Sequence, residues 1–185
     1  MNNHALLLKV IFCLGVLLLL GFKGQAQMRQ YEQLHNLNGG PVIHYRTAIG
    51  ARLGPQYGLT AKRFLREGNA LEALLTRHYD KKGITGTLMY EWHRNAFEAK
   101  GLLWYYGAGF HVGYYKYNEY FQPSEPERHA RDGSFVEAGV DGIIGLEYGF
   151  AFIPLALSVD FKPYLSNVSG HLGGIDAALS IKYAF

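Results

Sequence analysis

The sequence predicts an all-β fold, an eight-stranded antiparallel up-and-down transmembrane β-barrel with a polar, plugged lumen. Three observations predict it. Eight segments alternate apolar and polar side chains at period two, the repeat of a strand whose faces meet different surroundings. All fourteen tyrosines and twenty of the 23 glycines follow residue 26, in a stretch with no apolar run long enough to cross a membrane as a helix. The polar faces collect charges of both signs, which a membrane barrel encloses while turning its apolar face to lipid.

Residues 1–26 have the layout of a cleaved secretory signal peptide. Lys9 precedes eleven apolar residues, Val10 to Leu20, and Gly24-Gln25-Ala26 supplies small residues for cleavage. Eleven residues fall short of the ~20 that a spanning helix needs. The only cysteine, Cys13, lies in this leader, so the mature chain excludes disulfides and thiol chemistry. Removing Lys9 and Lys23 takes Lys+Arg from 18 to 16 against 15 acids, and a net charge of +1 gives no reason to expect nucleic acid. Residues 27–41 are expected as an N-terminal periplasmic segment and 42–185 as the barrel.

In chain order, Val42–Leu53 sets Tyr45, Thr47, Ile49, Ala51 and Leu53 against His44, Arg46, Ala48, Gly50 and Arg52. Gly54-Pro55 turns the chain into Tyr57–Leu65, where either parity leaves Lys62 or Arg63 on the wrong face. Ala70–Tyr79 places Leu71, Ala73, Leu75 and Tyr79 opposite Glu72, Thr76 and His78, with Leu74 an exception. After Lys81-Lys82-Gly83, Tyr90 and Trp92 share a face with Ile84, Gly86 and Leu88, and Glu91 and His93 lie behind. Leu102–Tyr114 opposes Trp104 and Phe110 to Gly107, Gly109 and His111. Phe135–Tyr148 opposes Val140, Ile144 and Tyr148 to Glu137, Asp141 and Glu147. Leu155–Lys162 opposes Phe161 to Asp160 and Lys162, and Pro163 is expected to end it. Ile175–Phe185 carries Asp176 and Lys182 on its polar face.

Parity therefore assigns a lumen network of Arg46, Arg52, Glu72, Glu91, Glu137, Asp141, Glu147, Asp160, Lys162, Asp176 and Lys182. The interspersed glycines leave these long side chains room. It assigns an aromatic girdle to Tyr45, Tyr79, Tyr90, Trp92, Trp104, Tyr148 and Phe161, since Trp and Tyr gather at membrane–water interfaces. Connection lengths agree with a periplasmic N-terminus, which puts the longest one, Tyr115–Ser134, outside the cell.

The leader, the alternating segments and the ending ALSIKYAF, with GLLWYYGAGFHVGYY, DGIIGLEYGF and DFKPYL, resemble small bacterial outer-membrane β-barrels of the OmpX/opacity type. The resemblance covers residues 42–185. It implies a Gram-negative outer-membrane location, contact with outer-membrane lipid and lipopolysaccharide, and a C-terminal assembly signal, Tyr183 and Phe185, read by the assembly machinery.

Chemistry is sparse. Some eight-stranded barrels modify lipid A, and the best local candidates for such catalysis are Ser169, His171 and Asp176. The Ser-Gly-His order does not match the His-x-Ser of the lipid A deacylase family, and a polar loop is the favoured alternative. The mature histidines show no metal-ligand spacing, and lumen histidines His44, His78, His93 and His111 are expected to bond neighbouring carboxylates. GAGFHVG and GVDGIIG lie within strands and open no helix, so no phosphate site is expected. Neither metal nor cofactor is expected. The expected role is structural, surface-contact or adhesion, with the Tyr115–Ser134 loop as the contact for a surface partner. The alternatives are a lipid A-modifying enzyme and a soluble periplasmic ligand-binding barrel with the same strands everted.

Overall fold

A computed structural model describes residues 43, 45–65, 68–79, 83–97, 99, 101–116, 134–167 and 173–185. Eight strands follow in order: β1 Thr47–Leu53, β2 Gln56–Phe64, β3 Asn69–His78, β4 Gly83–Asn95, β5 Leu102–Lys116, β6 Ser134–Gly149, β7 Leu155–Ser166 and β8 Gly173–Ala184. Each pairs antiparallel with its neighbours, and β1 also pairs with β8 to close the barrel. The closing seam runs from Ala48–Ala184 to Leu53–Leu179, and Thr47 and Phe185 exchange two backbone bonds beyond it, 2.9 and 2.7 Å. Closure leaves no sheet edge exposed. A barrel of eight strands is about wide enough for side chains to fill. Gly68 (φ 82°) and Gly101 (φ 83°) take the left-handed backbone needed by the tight connections at the end that holds the termini.

Alternation places the apolar set outside. Leu59, Val136, Leu165 and Ile175 are 60, 61, 62 and 73 % exposed, and aliphatic side chains of the other strands join them. Inside, the barrel is polar over most of its length but has an apolar floor near the termini. Ile43, Tyr45, Ala48, Phe64, Ala70, Leu103, Ala156 and Ala184 form that floor, and Met89, Tyr105 and Ile143 form a second apolar cluster.

Four expectations need correction. Tyr45 is buried inside and Arg46 is exposed, the reverse of the parity expected for them. The chain bends at Arg46 before β1 begins, so the alternation of β1 does not extend back to Tyr45. Phe161 is exposed but sits mid-strand between Ile144 and Ala177, away from either end. Pro163 does not end its strand, because β7 continues to Ser166. On the β6 side the ladder skips from Asp141–Tyr164 to Ile144–Phe161, while pairing with β8 runs through Pro163–Ile175. The missing N–H of proline thus falls in one gap of one ladder. Tyr115 belongs to β5 and is buried, so the long connection begins after Lys116; residues 117–133 lie outside the described residues.

Candidate functional site: the charged interior and its mouth

The inner face carries charge in three layers. Nearest the termini, Lys62 of β2 and Lys182 of β8 meet three glutamates. Lys62 Nζ lies 3.2 Å from Glu72, 2.8 Å from Glu91 and 3.0 Å from Glu147. Lys182 Nζ lies 3.0 Å from Glu72 and 2.9 Å from Glu147. The Lys62–Glu91 contact is an ion pair by distance, but neither Glu91 oxygen accepts a hydrogen bond of acceptable geometry. Tyr45 donates its hydroxyl to Glu147 and Thr60 donates to Glu72, which ties the floor to the ion cluster. Lys62 also sits 4.2 Å above the Tyr105 ring, a cation–π contact in a water-poor setting.

In the middle layer Arg52 of β1 grips Asp160 of β7 with two bonds, 2.8 and 2.7 Å, and reaches Asp176 of β8 at 3.1 Å. The planar guanidinium suits this fork. Asp176 further accepts from the Gln56 backbone N–H at 3.4 Å, and Tyr105 donates to Asp160 at 3.3 Å. At the end away from the termini, Asp141 of β6 is shared between Lys162 Nζ, 3.0 Å, and His111 Nδ1, 2.7 Å. Glu137 lies on the same side. A small cavity of about 10 Å³ opens there, lined by Gln56, His78, Thr85, His111, Tyr115, Glu137, Lys162 and Tyr164.

Among the described residues cited for each layer, the carboxylates outnumber the lysines and arginines by one. The counts are two lysines to three glutamates, one arginine to two aspartates, and one lysine to Asp141 and Glu137. Ion pairs buried this deeply repay their desolvation only when every partner is placed, so removing one partner costs far more than a surface pair would.

Glycines on β5 and β6 shape this interior. A Cβ at Gly145 would stand 2.7 Å from the Tyr105 ring and hydroxyl, and one at Gly139 would stand 2.6 Å from His111. The space a glycine yields is where a neighbour's ring lies flat against the wall.

Of the residues singled out in the sequence, Arg52, Glu72, Glu91, Glu137, Asp141, Glu147, Asp160, Lys162, Asp176 and Lys182 are buried inside, and Arg46 is not. Lys62, left ambiguous by its neighbour Arg63, takes the place of Arg46, while Arg63 faces out. The signal that decides between them is non-local: three glutamates on other strands converge where Lys62 ends. His111 bonds a carboxylate as expected. His93 Nε2 lies 3.6 Å from its neighbouring carboxylate, Glu91, too far for a hydrogen bond, and the ring packs between Phe64, 4.7 Å, and Tyr105, 4.9 Å. Ser169, His171 and His44 lie outside the described residues, as do 1–26 and 27–41. Asp176 accepts from Arg52 and from the Gln56 backbone N–H. Among the described residues no group of three His, Cys, Asp or Glu is arranged to hold a metal ion.

On the outer face, Tyr90, Trp92, Tyr106 and Trp104 follow one another near the termini, with successive ring centroids 4.9, 5.5 and 5.3 Å apart, the first pair edge-on and the other two stacked. Tyr148 joins Phe150 at 4.8 Å, and Tyr183 lies 6.4 Å from Phe185. At the opposite end Tyr79 packs on Tyr57 at 4.4 Å.

In comparisons with protein-family models and with curated proteins, nothing matches this chain.

The bond from Tyr45 to Glu147 gives a first prediction. Tyr45→Phe keeps the ring in the floor and removes the hydroxyl, and is expected to cost about 1.5–3 kcal/mol, the scale of a hydrogen bond to a charged group. Urea unfolding in detergent, followed by tryptophan fluorescence, measures it; a midpoint equal to that of the parent would mean that the bond contributes nothing.

Proposed function

We propose that this chain is a bacterial outer-membrane barrel, exported by its leader, with a structural, surface-contact or adhesion role and no catalysis. The observation that carries the proposal is the opposition of faces in one closed sheet, ion pairs within and a continuous aliphatic band without. Aliphatic side chains at this density need an apolar medium, and ionised side chains need an enclosure away from it. Arg46, Arg63 and Arg94 are exposed at the same end as the Tyr90–Tyr106 aromatic series, where cations meet lipid phosphates and rings meet the interface. Lipid and lipopolysaccharide are then the partners of the outer face. The Tyr183–Phe185 ending, bonded to the first strand through Thr47, is the proposed signal for the assembly machinery. The loop that follows β5 is the proposed contact for a surface partner.

The filled interior argues for a closed wall in place of a pore, since both lysines and all three glutamates of the first layer occupy the lumen cross-section. An everted soluble barrel would need an apolar lumen, whereas the described interior holds charge along its length.

Expression of the precursor in a Gram-negative host tests the proposal. A band in the outer-membrane fraction that migrates differently on SDS gels before and after boiling is expected. Recovery in the soluble periplasm would overturn it.

A further inference from the structure

Phe97 and Phe152 are the most exposed large apolar side chains among the described residues, at 87 and 97 %. Both sit on connections at the end that holds the termini, Phe97 between β4 and β5 and Phe152 between β6 and β7. The two connections are neighbours. Pairing of β5 with β6 begins at Leu102–Tyr148, and the Gly149 N–H donates to the Gly101 carbonyl at 2.9 Å. Backbone bonds close each connection on itself. Ala99 donates to the Ala96 carbonyl and Leu102 to that of Ala99, each at 3.1 Å; Phe150 donates to Leu155 at 3.0 Å and Leu155 to Ile153 at 2.7 Å. Phe97 also takes a left-handed backbone, φ 53°, which a residue with a β-carbon adopts only against steric cost. That cost brings the ring no burial within this chain. Strain held at a fully displayed side chain points to a contact outside the molecule.

We propose that these two turns dip into the boundary between lipid headgroups and acyl chains, with Phe97 and Phe152 as anchors inserted in a phospholipid surface. The inference rests on the reading of the outer face as lipid-facing and extends it past the ends of the strands. Three observations favour lipid over a protein partner. The rings continue an aromatic surface, since Phe150 meets Tyr148 at 4.8 Å and, on the strand that follows Phe97, Trp104 stacks on Tyr106 at 5.3 Å. Ile153, 45 % exposed, adds an aliphatic side chain next to Phe152. Every described Asp and Glu is buried, whereas Arg46, Arg63, Arg77 and Arg94 are exposed. The described exterior therefore offers cations to lipid phosphates and no carboxylate to repel them. Aromatic rings beside such cations are the side chains that settle at this boundary.

The test uses single tryptophans in the mature barrel, refolded into vesicles of phosphatidylcholine and phosphatidylglycerol. Trp92 and Trp104 are the native tryptophans. With both changed to Phe, Phe97→Trp and Phe152→Trp are made in turn, while Trp92→Phe alone keeps Trp104 as the lipid-facing control. Heat-modifiable migration reports the folding of each. At both positions we expect emission blue-shifted from that of the same variant in urea, and loss of emission to a lipid brominated near the top of its acyl chains. Quenching by aqueous acrylamide with no response to brominated lipid would overturn the proposal, and a quenched Trp104 would leave the membrane reading standing. Protection from both quenchers would overturn it too, by assigning the cover to a second copy or another segment of this chain. An unquenched Trp104 in a folded barrel would sink both readings. If a tryptophan variant does not refold, Phe97→Cys and Phe152→Cys carry a polarity-sensitive dye in the mature barrel, where no other cysteine competes, and the same two quenchers decide.

Discussion

Lys62→Met is expected to destabilise the barrel by about 3–5 kcal/mol, the cost of stripping one partner from a buried ionic group. Methionine retains the apolar stem that packs beside Tyr105, so lost volume is a small part of the effect. What remains is electrostatic. Glu72, Glu91 and Glu147 are left with Lys182, which contacts Glu72 and Glu147 but has no described contact with Glu91. Urea unfolding of the refolded protein in detergent measures the loss, and adding Glu91→Gln to Lys62→Met is expected to restore part of it. A loss under about 1 kcal/mol, the range of an exposed pair, would mean that water reaches the cluster. Restoration by the second substitution separates charge imbalance from packing, since Gln fills nearly the space of Glu.

Gly145→Val is the second large effect, expected at about 3 kcal/mol or a failure to form the heat-modifiable barrel. The added Cβ alone would stand 2.7 Å from the Tyr105 ring and hydroxyl and 2.6 Å from the Val159 carbonyl. Tyr105 has nowhere to withdraw. His93 stacks on one part of it at 4.9 Å, Lys62 lies over its ring at 4.2 Å, and its hydroxyl donates to Asp160 at 3.3 Å. Tyr105→Ala in the Gly145→Val background relieves the collision, so the double variant is expected to refold better than Gly145→Val alone. An equally poor double variant would trace the defect to the β6–β7 backbone contact instead.

Most of the strand order and facing was legible because a period of two is a local property: the five residues Leu179–Tyr183 of β8 reveal it by themselves. The misses share a different cause. At Tyr45 and Arg46 the alternation is broken by a bend before β1, and nothing in the neighbouring residues distinguishes a bent entry from one more strand residue. Between Lys62 and Arg63 the local pattern is a tie, broken by Glu72, Glu91 and Glu147, residues brought together only by closure. Phe64 and Leu103 are apolar yet inside because the floor of the barrel wants packing where the upper interior wants charge, and Ile143 is inside because it packs with Met89 and Tyr105. Pro163 reads as a stop in sequence; in the sheet its missing donor costs one ladder position. The mouth was half legible: His111 and Glu137 were assigned to the lumen, but their convergence with Lys162 and Gln56 depends on a register that no single segment encodes.

The lysine–glutamate cluster has a bearing on how the chain finds its pairing. Its five members come from β2, β3, β4, β6 and β8, each contributing one residue. Sliding any of those strands by one residue against its neighbours turns its whole inward set to the opposite face. The slipped strand would then carry a bare ammonium or carboxylate on the aliphatic band and leave its former partners unanswered within. The penalty falls at both surfaces at once, so misregistered barrels are disfavoured even where their backbone ladders are fully bonded. Lys62 reaches its Glu147 partner across 85 residues of chain, and Lys182 links the last strand to the third. The cluster is therefore completed only at closure, and it works as a combination lock whose final tumbler is β8.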